Sequence, residues 1–167
     1  MRAYNEYVNT VRNRLRNYKQ FEITIENLKA GIAAKEDDLR SDVNAPISKY
    51  GDMPSGGKPE LNAVESAAER HMMIRREIDA DLHAIAEIER AMEMIERSIA
   101  GLNDVDQRLI KGHYFDGLTW EELGSELYYS EKWARERAGK AVKQMAGMIF
   151  GPKAVGRPVQ TQFVFTS

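Results

Sequence analysis

The chain has 167 residues, with 24 Lys and Arg against 26 Asp and Glu, a net charge of −2 and 30% charged side chains. That length bounds it to one or two domains with a core of moderate size. Its near-neutral charge excludes a polycation that coats nucleic acid indiscriminately, while leaving room for a local basic face. The absence of Cys removes disulfides and thiolate metal sites.

Residues 1 to about 40 contain no Pro and a single Gly, Gly31. Tyr4, Val11, Tyr18, Ile25, Ile32 and Leu39 recur every seven residues, with Met1, Val8 and Leu15 four later in the heptad, then a drift to Phe21 and Leu28. Such a repeat predicts one long helix with a narrow apolar seam, coiled-coil-like in kind. Arg2, Arg12, Arg14, Arg16 and Lys19 face only Glu6 in the first twenty residues. This cluster reads as a solvated helix face. Neither a signal-peptide run nor a membrane span occurs, so a cytosolic protein without a membrane partner is expected.

Three Pro and three Gly in NAPISKYGDMPSGGKP predict a loop at about 41–59. From about Glu60 a second long helix is predicted. Its apolar residues, from Leu61 through Ile74, Ile78, Leu82, Ile85, Ile88, Met92, Ile95 and Ile99 to Leu102, are spaced mostly by threes and fours. Two such helices should fold back as a long antiparallel hairpin. The second is acidic where the first begins basic, which favours their pairing. A limited seam makes a modest core, and a homodimer through the hairpin would bury more.

Carboxylates beside a His, such as Asp79 and His83, invite a metal or acid–base reading. The pair flanks the seam, however, and His71, His83 and His113 share no common spacing. No nucleophile–base motif or phosphate-binding loop occurs either. The expectation is a protein that is not an enzyme, with no metal site and no cofactor.

Gly101 closes the second helix, and DVDQRLIKGHYFDG opens a C-terminal helical unit. Its predicted core is Leu109, Tyr114, Phe115, Leu118, Leu123, Leu127, Ala134, Ala138, Val142 and Met145. Thr119 and Glu122 have the spacing of a capping box ahead of a short helix. Ser130, with Glu131 behind it, caps a longer one. Only Tyr128 and Tyr129 separate the short helix from that second cap, the layout of a helix-turn-helix. Ala134 and Ala138 let its helices approach closely. Lys132, Arg135, Arg137, Lys140 and Lys143 give the last helix a basic outer face, against Glu131 and Glu136. Such a face suits phosphate contacts, with residues near the helix start reaching base edges in a major groove.

The segment LNDVDQRLIKGHYFDGLTWEELGSELYYSEKWARERAGKAVKQM is similar to region 4 of the sigma-70 family, which reads the −35 promoter element. The similarity rests on the lead helix Leu109–Tyr114, Leu118-Thr119, Glu121-Glu122-Leu123-Gly124, Leu127, Ser130, Arg135 and Lys140-Ala141. The whole layout resembles the phage-encoded ArpU/RinA group of late-gene transcriptional regulators. That resemblance implies a sequence-specific regulator binding double-stranded DNA in the cytoplasm of a bacterial host cell, with RNA polymerase as a partner. It places base reading on Glu131, Lys132, Trp133, Arg135 and Glu136, and phosphate contacts on Thr119 and Lys140. Ser130 and Lys143 complete the expected DNA-binding set. Three features depart from the family pattern: Tyr128-Tyr129 in the turn, Arg137 at a usually apolar position, and Gly139 inside the recognition helix.

The expected fold is therefore all-α: a hairpin over 1–101, a helix-turn-helix over 102–151 and a flexible tail over 152–167. Alternatives are a small-terminase-like DNA-packaging subunit, which usually carries its helix-turn-helix first, and a protein-interaction module that binds no DNA.

Overall fold

The computed structural model describes the backbone of residues 2–44 and 59–154 and the side chains of residues 5–41 and 64–154. The described residues form an all-α protein. The helices are α1 (Arg2–Arg16), α2 (Tyr18–Asn44), α3 (Pro59–Ala100), α4 (Asp104–Tyr114), α5 (Trp120–Glu126) and α6 (Glu131–Phe150). A single 3-10 turn, Gly151–Lys153, follows α6.

The long first helix expected from the heptads is interrupted at Asn17. The backbone ladder still runs past that residue, because Asn17 N–H donates to Asn13 O and Phe21 N–H donates to Asn17 O, each at 3.0 Å. Helix α3 has 42 residues, about 60 Å at 1.5 Å of rise per residue. Pro59 stands at its first position, where the missing N–H costs nothing. Residues 41–44 and 59, expected in the loop, are helical. The rest of that loop and the tail beyond Ala154 lie outside the described residues. Residues 152–154, expected in the tail, instead continue the folded chain, with Ala154 buried.

The chain divides into two compact units, and the division differs from a boundary at 101. One unit takes the chain up to Phe21 and from Glu89 onward, and the other is Glu22–Ile88. Helix α1 thus joins the C-terminal helices, because three heptad positions, Val8, Val11 and Leu15, enter their core. In that unit α6 packs against α1, α4 and α5. The predicted core residues Leu109, Leu123, Ala134, Ala138, Val142 and Met145 are buried, while Tyr114, Phe115, Leu118 and Leu127 pack partly buried around them. Ile95, Ile99, Leu102, Ile110, Ala141 and Ala146 complete the core.

Residues 22–88 are built differently. Ile32 and Ile85 are buried, whereas Ile25, Leu28, Ile74 and Ile78 are half-buried. Lys35 of α2 meets Asp81 and Glu77 of α3 at 2.7 and 3.4 Å. This contact lies outside the basic cluster of the first twenty residues, whose pairing with the acidic second helix was expected. Hydrogen bonds from Lys35 to Asp81, then to Glu77, raise its affinity for the proton.

Candidate functional site

Three helix starts in the C-terminal unit are fixed by side chains. Asn103 caps α4 by accepting from Asp106 N–H at 2.9 Å. Thr119 caps α5 in a complete capping box: its hydroxyl accepts from Glu122 N–H at 3.2 Å, and its own N–H donates to Glu122 Oε2 at 2.7 Å. These donations from Thr119 hold the Glu122 carboxyl below the usual carboxylate range. Ser130 caps α6 by accepting from Trp133 N–H at 3.1 Å. The two expected caps thus exist as hydrogen bonds, satisfying donors that would otherwise be orphaned.

The connection between α5 and α6 closes in Schellman fashion. Tyr129 N–H donates to Gly124 O at 2.8 Å and Tyr128 N–H to Ser125 O at 3.3 Å. Tyr128 occupies the left-handed position with φ 61°, where glycine is usual, and its side chain is 96% exposed. The departure at Tyr128-Tyr129 therefore preserves the turn at the expense of strain, about 1 kcal/mol for a residue bearing a Cβ. Gly124 makes the close approach itself. A Cβ there would meet Tyr129 O at 2.8 Å and Ser130 C at 3.0 Å, both backbone. Gly112 performs the same service between α4 and α5, where a Cβ would lie 2.5 Å from Leu123 Cδ2.

The nine residues expected to meet DNA do not all share one role. Glu131, Lys132, Arg135, Glu136, Lys140 and Lys143 are exposed on α6. Arg135 is ion-paired to Glu131 one turn earlier, while Lys132, Lys140 and Lys143 make no ion pair among the described residues. Trp133 is half-buried and stacks on Tyr129 at 3.8 Å between ring centroids, with 15° between planes. It belongs to the wall between turn and helix. Thr119 and Ser130 are exposed, but their hydroxyl oxygens already serve as caps.

Arg137 leaves the basic face on which it was expected. Its guanidinium donates to both carboxylate oxygens of Asp106, Nε to Oδ1 at 2.6 Å and Nη2 to Oδ2 at 3.0 Å. Asp106 is 3% exposed and also accepts from Asn103 Nδ2 at 2.8 Å. This bidentate pair raises the Arg137 proton affinity and ties the start of α4 to the middle of α6. The polar residue at a usually apolar position is thus matched by a buried acid. A second fork joins Arg108 of α4 to Glu126 at 2.6 and 2.7 Å, with a further bond to Asp116 at 3.0 Å. It holds the Glu126 carboxyl below the usual range.

The amino-terminal cations are also less uniform than a solvated face. Arg14 lies 5.7 Å over the Phe150 ring and holds a buried Nη1 with no hydrogen-bond partner. Arg12 and Arg16, on another flank of α1, instead line a cleft of about 180 Å³ with His113, Trp120, Arg135 and Gly139. His113 stacks on Trp120 at 3.7 Å, and its Nδ1–H donates to Leu118 O at 2.8 Å. Sequence reasoning missed Asp106 and this cleft. An acid in the first turn of α4, facing a basic residue in a core register of α6, was the available signal for the first.

A family model described as "Protein of unknown function (DUF722)" matches residues 24–147. The chain belongs to the DUF722 family. The DUF722 match takes in α4, α5 and most of α6, including Gly124, Lys132, Asp106 and Arg137, and leaves α1 outside. Neither the curated proteins nor the solved structures contain a match. Asp79 is exposed, and exposed His83 lies 3.5 Å from Glu87. Among the described residues no three metal-ligating side chains converge.

Proposed function

We propose that this protein is a sequence-specific regulator of transcription that binds double-stranded DNA through a helix-turn-helix made of α5 and α6, in the manner of phage or prophage late-gene activators. The observation that carries this reading is the Gly124 approach. It seats the start of α6 against α5 while Lys132, Lys140 and Lys143 stay exposed and, among the described residues, without an ion pair. Backbone phosphates attract such a face through counterion release, and a single α-helix fits the major groove. In this reading Lys132, Arg135 and Glu136 reach bases, and Lys140 and Lys143 meet phosphates. Thr119 and Ser130 act chiefly by capping, and Trp133 supports the turn. Residues 22–88, with Ile23, Met72, Met73 and Leu82 more than half exposed, are the proposed surface for a second copy or for RNA polymerase.

The test is an electrophoretic shift with late-promoter duplexes across a salt series. The K132A/R135A variant is expected to lose specific binding while keeping its helical circular dichroism. Undiminished binding by that variant rejects the site, and binding indifferent to salt rejects phosphate contact.

A further inference from the structure

Helix α1 adds to the C-terminal unit a feature that the α5–α6 pair does not contain. Its core-facing residues Val11 and Leu15 are wholly buried. That anchoring fixes Arg12 and Arg16, one position further round the helix, on the rim of the cleft they share with Arg135. Arg12 donates from Nη1 to Asn9 Oδ1 at 3.1 Å, a neutral acceptor. Arg16 has no ion pair among the described residues, and Arg135 is paired only within its own helix. Among the described residues no Asp or Glu lines the cleft. Arg12 and Arg16 therefore line the cleft without a carboxylate partner among the described residues. The cleft, about 180 Å³ and open to solvent, leaves room for a phosphodiester group with part of its hydration.

Gly139 supplies an independent observation. A glycine inside a helix costs about 1 kcal/mol relative to Ala. Gly112 and Gly124 are explained by Leu123 and by the Tyr129–Glu131 backbone. Around Gly139 nothing lies within 4 Å of the Cβ it lacks. Among the described residues no neighbour demands the glycine, as none demands Gly31 of α2, but Gly139 borders the cleft lined by Arg12 and Arg16. The missing side chain leaves the α6 backbone open to an occupant from outside.

We infer that the cleft between α1 and α6 grips a backbone phosphate of duplex DNA, with Arg12 and Arg16 as donors and Gly139 as the point of closest approach. This inference rests on the DNA-binding reading and extends the interface to a helix outside the sigma-like segment. A planar, multiply donating guanidinium suits phosphate oxygens, and the cleft adjoins the helix that carries Lys132, Lys140 and Lys143.

Duplex affinity measured across a salt series tests it in the full chain. R12Q/R16Q is expected to weaken binding about tenfold or more, and to lower the slope of log K against log salt by about 0.9, the value for one lost phosphate contact. R75Q/R76Q, which removes equal charge from exposed positions of α3, is expected to leave the slope unchanged. G139L fills the cleft mouth without altering charge, so it should raise the melting temperature while weakening binding. An unchanged slope in R12Q/R16Q, an equal loss in R75Q/R76Q, or full affinity in G139L overturns the cleft assignment while leaving α6 as the reader. Failure of the unsubstituted protein to bind any duplex overturns the DNA-binding reading and the cleft with it.

Discussion

Around α6, the side chains of Val11, Leu15, Ile95, Leu109, Ile110, Leu123, Val142 and Met145 are withdrawn from water. In residues 22–88, Ile32 and Ile85 are buried, but Ile23, Met72, Met73 and Leu82 are more than half exposed. Both regions are helical and both carry apolar residues at helical spacing, so local periodicity does not separate them. The difference lies in the number of partners. Helix α6 is met by α1, α4 and α5, and its small residues Ala134, Ala138, Ala141 and Ala146 let those helices come close. A pair of helices can cover only one seam of each. Stability is therefore expected to concentrate in the unit around α6, and residues 22–88 to open more readily.

The sharpest way to break this contrast is a matched pair of truncations. Leu123→Ala should cost about 2–5 kcal/mol by urea denaturation, and Ile78→Ala about 1 kcal/mol. Amide exchange should likewise be slowest in α6. Equal costs, or equal exchange protection in both regions, would remove the distinction. Arg137→Ala comes next. It strips a bidentate partner from buried Asp106, so a lower urea midpoint is expected; a neutral result would return Arg137 to the open basic face.

The turn permits a smaller and two-signed comparison. Gly124→Ala sets a Cβ against backbone and is expected to destabilise by about 1–3 kcal/mol. Tyr128→Gly relieves a left-handed residue and should stabilise by about 1 kcal/mol, read as a higher melting temperature. The smallest expected effect is acid sensitivity in the same unit. Glu122 and Glu126 have folded-state values held below the ordinary 4.5. Their contributions are thus present above that value and lost as pH falls through the lowered ones. Denaturation midpoints should be flat from pH 7 to 5 and fall below about 4.5. E122Q and E126Q should flatten that fall, and an unchanged acid profile would contradict it.

Much of the fold was readable because its signals are local. Capping at Thr119 and Ser130, the stop at Gly101, the heptad phase of Val8, Val11 and Leu15, and the inward set from Leu109 to Met145 all depend on residues within one or two turns. The break at Asn17 was not readable, since no Pro or Gly marks it and hydrogen bonding runs through it. Nor was the unit boundary. Val11 and Ile32 occupy the same heptad position, yet Val11 faces the C-terminal core and Ile32 lies in the other unit.

The candidate site divides along the same line. Lys132, Lys140 and Lys143 were legible as an exposed basic stripe, because helical spacing alone puts them there. Arg137 carries the same charge on the same helix but turns inward, since Asp106, 31 residues earlier, is buried beside it. Arg12 and Arg16 read as solvated because nothing within α1 opposes them. Sequence by itself determined the helices, their caps and the sign of each face, all short-range properties of the chain. Which cations pair inward, and which converge on a shared cleft, was decided by packing between helices distant in sequence. That choice depends on burial and charge partners that no single helix contains.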